Sequence, residues 1–156
     1  MEFSPTYSPN KRVLLTKTKS PTMFWSKDLA KVDQIAKSSS NLHFASSHSF
    51  LHFPPIDEKK QEDEGSFYVG REVTGFLDLA PGFLFLDVPE CELLTFKLPH
   101  NCTFEDLEAR DKEVLEGLPL EFSDRLYLRR ISILEGGEEG RLGELSVELQ
   151  YFFGWT

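Results

Sequence analysis

The sequence predicts a mainly β protein: a β-sandwich or curled antiparallel sheet of about six strands with one short helix, preceded by a largely disordered N-terminal arm. Three observations carry this. From Ser66 onward, apolar residues recur with period two in segment after segment, the mark of half-buried strands. Connectors rich in glycine, proline and acid separate those segments. Charge and hydroxyl content then divide the chain: residues 1–56 hold seven Lys/Arg against Glu2, Asp28 and Asp33, a net +4, while residues 57–156 hold ten against twenty-three Asp/Glu, a net −13. Fourteen Ser/Thr fall in residues 1–52 and eight in the remaining 104. Such an asymmetry predicts an interacting tail on a separate body.

Residues 1–56 are expected to form the arm. Its first twenty-five residues lack strand or helix periodicity, and the string SSSNLHFASSHS approaches low complexity. A short amphipathic helix over 26–37 interrupts it. Ser26 is the N-cap, Leu29, Val32, Ile35 and Ala36 follow at helical spacing, and Lys27, Lys31 and Lys37 lie towards the other face. In NLHFASSHSFLHFPP, the bulky Leu42, Phe44, Phe50 and Phe53 are enough for an added edge strand. Residues 57–65 form an acidic linker that cannot bury enough apolar surface to offset its ordering entropy.

The β-rich domain is expected over 66–156. Phe67, Val69, Val73, Leu77 and Leu79 share one parity, with Gly70 and Gly75 allowing a bulge. Ala80-Pro81-Gly82 is a turn, FLFLDV is apolar on both faces and therefore central, and ELLTFKL alternates through Leu94, Phe96 and Leu98. Thr103 and Asp106 form a capping box for a helix of about three turns, which Gly117 and Pro119 end. In ELSVELQYFF the residues Leu145, Val147, Leu149, Tyr151 and Phe153 alternate strictly with polar neighbours. Upstream, RLYLRRISIL alternates too, with a phase slip at Arg129-Arg130 where a bulge fits. These two segments are expected to pair as an antiparallel hairpin across EGGEEGRLG.

Composition and motifs exclude several functions. The apolar runs fall far short of the roughly 18–20 residues that span a bilayer. With no leader pattern and only two cysteines, Cys91 and Cys102, a reducing cytoplasmic or nuclear setting is expected. His43, His48 and His52 share a segment without Cys, Asp or Glu between residues 38 and 56, which argues against a metal site. No nucleophile elbow, phosphate loop or cofactor signature occurs, so neither a catalytic residue nor a cofactor is assigned.

The remaining candidates lie mostly in the arm. Ser8-Pro9-Asn10-Lys11 has the form of a proline-directed kinase target, and Ser4 and Ser20 supply further Ser-Pro dipeptides. Phosphorylation at these sites would offset the arm's positive charge. Met23, Phe24 and Trp25 with Lys11, Arg12, Lys17 and Lys19 are candidate contacts for a partner, an anionic membrane or nucleic acid. Arg125, Arg129 and Arg130 are a candidate basic cluster, weighed against pairing with acids such as Glu144 and Glu148. The expected function is a non-catalytic protein-interaction module with a regulatory basic arm. The alternatives are a small virus-encoded accessory or matrix-type protein and, last, an enzyme of unknown class.

Overall fold

The computed structural model describes residues 3–18, 25–53, 67–99, 102–134 and 147–155, leaving the side chains of Trp25 and Ser26 undescribed. In chain order the elements are β1 (Thr6–Ser8), β2 (Lys11–Thr18), α1 (Trp25–Ser38), β3 (Leu42–Phe44), β4 (Ser49–His52), β5 (Phe67–Gly75), β6 (Phe83–Val88), β7 (Cys91–Leu98), α2 (Phe104–Gly117), α3 (Leu120–Ser123), β8 (Leu126–Ile133) and β9 (Val147–Phe153). The strands form one antiparallel sheet in the order β1-β7-β9-β8-β4-β5-β2-β6, with β3 also pairing on β5.

This overturns two expectations. Among the described residues the sheet has nine strands rather than about six, and of the two expected architectures it is the single antiparallel sheet, not the sandwich, that is present. The N-terminal region is not a disordered arm: β2 runs between β5 and β6 with Val13, Leu14 and Leu15 fully buried. The basic residues of KRVLLTKT concealed this strand. Lys11 pairs with Glu72 and Arg12 with Asp87, so the opposite charges of the two segments meet as ion pairs inside one sheet. Likewise SFLH is no edge: β4 lies between β8 and β5 and all four of its residues are buried. Residues 57–65, expected as a linker, lie outside the described residues.

Two β-α-β-β units underlie the topology. In the first, β5 lies between β2 and β4; in the second, β9 lies between β7 and β8. The units meet where β4 pairs with β8. Their leading strands are exchanged, since β1 pairs with β7 of the second unit and β6 with β2 of the first. One antiparallel register runs from Thr6↔Leu93 through Ser8↔Cys91 and Lys11↔Val88 to Thr16↔Phe83. Pro9-Asn10 and Pro89-Glu90 interrupt both chains at the same level, where proline removes a ladder donor. The ribbon ties the two ends of the strand order together and closes the sheet on itself.

The helices cover the outer face. On α1, Val32 and Ala36 pack on Leu14, Leu42 and Val73, and Arg71 Nε and Nη2 donate to Asp33 at 2.8 and 3.1 Å. The expected capping box on α2 is present: Asp106 N–H donates to Thr103 Oγ1 and Thr103 N–H to Asp106 Oδ2. Below it, Leu107 and Val114 pack against Leu94, Leu149, Tyr151 and Phe153. Asp111 ties α2 to the sheet by accepting from Tyr151 Oη at 2.7 Å and from Arg129. The expected hairpin pairing of β8 with β9 is present, but its irregularity falls between Leu126 and Leu128, upstream of Arg129-Arg130. No described helix is long and apolar enough to cross a membrane.

Candidate binding cleft

Period two sends the residues between these core positions to the inner face, and that face is not uniformly apolar. Arg130 on β8 is 2% exposed. Its Nη2 donates to Glu72 Oε1 on β5 at 2.7 Å and its Nε to Gln150 Oε1 on β9 at 2.8 Å. The guanidinium carbon lies 3.7 Å from the Phe50 ring centroid and 4.8 Å from that of Phe152. A desolvated guanidinium between two aromatic faces gains cation–π attraction on both sides. Burial lowers its pKa to about 10, with Glu72 opposing the shift, so the group remains cationic at neutral pH.

Lys11 on β2 reaches the same carboxylate oxygen at 3.8 Å, and its Nζ lies 5.2 Å from the Phe152 ring centroid. Three strands, β8, β4 and β5, separate β2 from β9 in the strand order, so this contact across the interior is itself a mark of closure. Burial lowers the Lys11 pKa, the neighbouring Arg130 charge lowers it further, and Glu72 opposes. His52 is fully buried with no partner on either ring nitrogen among the described residues. Burial and Arg130 hold it well below the ordinary imidazole range, so it is neutral.

Where the ribbon kinks, the interior opens to a cleft of about 640 Å³ lined by Pro9, Lys11, Arg12, Glu72, Val73, Asp87, Val88 and Pro89, among others. Arg12 and Asp87 form a bidentate pair at 2.6 and 3.1 Å on its rim, and the Arg12 hydrogen bond lowers the Asp87 pKa. Arg12 Nη1 also donates to the Gly75 carbonyl at 2.8 Å. The rim charges are thus committed to each other. Lys11 and Glu72 join the cleft to the interior behind it.

The residues singled out from sequence are dispersed. Ser4 is exposed, Ser8 is buried opposite Cys91 in β1, and Ser20 lies outside the described residues. Met23, Phe24 and Lys19 also lie outside them, while Trp25 opens α1 and Lys17 is exposed on β2. Among the described members of that set, Lys11 and Arg12 reach the cleft. Arg125, Arg129 and Arg130 are not brought together as a basic patch: they pair separately with Glu92, Asp111 and Glu72. Both cysteines are buried free thiols. Among the described residues no group of three or more His, Cys, Asp and Glu side chains converges on one point. Glu72, Asp87, Gln150 and Phe152 were not singled out from sequence, and Phe50 was read only as a bulky residue of an added edge strand. One signal is that Tyr68 and Phe152 occupy the parity that alternation assigned to solvent.

No family model and no curated protein matches the sequence. Solved structures do resemble the fold. The crystal structure of the EcmrR C-terminal domain aligns at a TM-score of 0.60 with 13% identity, over 98% of this chain and 97% of that one. EcmrR in its DNA complex within EcmrR-RPo aligns at 0.60 with 14% identity, and there the chain spans 57% of the neighbour's length. A protein from Staphylococcus aureus MU50, described as a bacterial transcription regulation protein, aligns at 0.54 with 10% identity over 99% of both chains. Identities this low establish a shared fold.

Proposed function

We propose that this chain is a non-catalytic regulatory binding module that receives a small molecule in the cleft at the mouth of its closed sheet. The observation that carries the reading is the cleft of about 640 Å³, whose walls draw on β2, β5 and β6. That size falls within the range of small-ligand sites. Behind it lies an aromatic interior already filled by Arg130, so the space open to a ligand is the cleft. The fold shared with the Staphylococcus aureus protein described as a bacterial transcription regulation protein supports a regulatory reading.

The test is a titration of the isotope-labelled chain with a panel of small amines, carboxylates and aldehydes, followed by amide chemical shifts. Saturable shifts centred on Lys11, Arg12, Glu72 and Val73 are expected for at least one class. Shifts absent from those amides across the whole panel would sink the reading.

A further inference from the structure

The amine of Lys11 has an unusual setting. Its side chain is 15% exposed and sits where the cleft meets the interior. Glu72 faces it from β5, Arg130 from β8, Cys91 from β7 and the Phe152 ring from β9. Glu72 is its nearest carboxylate, yet that same Oε1 accepts from Arg130 at 2.7 Å, while Lys11 stands off at 3.8 Å. Two cations therefore share one anion, and the more distant is the lysine. A lysine that is desolvated and set beside another cation carries its neutral, nucleophilic amine at lower pH than an exposed lysine does.

We infer that Lys11 is a covalent anchor for a small carbonyl compound, an aldehyde whose body lies in the cleft and whose carbonyl carbon forms a reversible imine with Lys11 Nζ. The inference rests on the cleft being a ligand site, and it names the ligand class. The Nζ lone pair attacks the carbonyl carbon, and the C=O π electrons move to oxygen, which takes a proton. The carbinolamine then loses that oxygen as water as the C=N bond forms. Glu72, 3.8 Å from Nζ, is placed to take the proton that nitrogen releases and to return it to the departing hydroxyl. Hydrolysis reverses each step, so no oxidant or reductant is consumed. The apolar walls of Val73, Val88, Pro9 and Pro89 suit an aldehyde with an apolar body.

The test uses the full chain with benzaldehyde and cyanoborohydride near neutral pH, where hydride reduces any imine to a stable benzylamine. Peptide mass spectrometry reads each lysine separately. Lys11 is expected to be benzylated several-fold faster than the exposed Lys37, Lys97 and Lys112, which serve as internal controls in the same folded molecule. Its advantage is expected to shrink as pH rises and those lysines lose their protons. Labelling of Lys11 no faster than the exposed lysines would overturn the inference. If the cleft amides still respond to panel compounds without reductant, the cleft reading stands and only the covalent anchor falls. If neither signal appears, both fall.

Discussion

Arg130→Met removes the interior's buried cation while keeping much of its length. In the folded chain Arg130 is 2% exposed and donates to both Glu72 and Gln150. The substitution leaves Gln150 Oε1 without that donor and leaves Glu72 with only Lys11, at 3.8 Å. Removing one partner of a buried ion pair costs about 3–5 kcal/mol, because the other charge stays desolvated. For a chain of this size that is a fall of roughly 6–20 °C in Tm. Glu72→Leu should cost a similar amount. The double variant removes both charges of the pair, so its cost should fall below half the sum of the two, with Lys11 left unpaired accounting for what remains. Urea unfolding of the four proteins measures this cycle. A loss below about 1 kcal/mol for Arg130→Met, or additivity within about 0.5 kcal/mol, would refute the account of the interior as a coupled charge pair.

Two further outcomes follow from neighbouring features. A methyl group on Gly70 would fall 1.8 Å from the Leu14 carbonyl oxygen of the paired strand, so Gly70→Ala must push β5 from β2 and should cost about 1–3 kcal/mol or more; an unchanged urea midpoint would contradict the close approach of these strands. His52 is held neutral in the fold, its pKa well below the ordinary value of 6.5, whereas the unfolded chain takes up a proton near that value. Stability should therefore decline as pH falls below about 6.5, by up to about 1.4 kcal/mol per pH unit, and His52→Leu should flatten that decline; an unaltered pH profile in the variant would show that His52 does not govern it.

What could be read from the sequence follows where each segment finds its partners. The hairpin of β8 and β9 and the capped helix α2 were readable because their signals are local: strict alternation in ELSVELQYFF, and Thr103 with Asp106 three residues on. The strand KRVLLTKT was not. Its charges are neutralised by Glu72 and Asp87, some sixty and seventy-five residues away, and its buried Thr16 finds the Gly82 carbonyl at 2.8 Å. A segment whose partners are that remote resembles a solvated tail when only its neighbours are inspected. The cleft was hidden for a related reason. Alternation assigns charged and amide residues to solvent, but closure of the sheet turns that face inward, where Arg130 donates to Glu72 and Gln150.

The exchange of leading strands also bears on synthesis. As the chain leaves the ribosome, β2 emerges with neither of its neighbours, because β5 begins at Phe67 and β6 at Phe83. At translation rates of about 5–20 residues per second, β2 waits roughly 2–10 s for its first partner and longer for its second. During that interval the stretch Val13-Leu14-Leu15 has no sheet to enter. The flanking lysines and arginine that disguise this strand in the sequence are therefore well placed to keep the nascent segment from pairing with copies of itself.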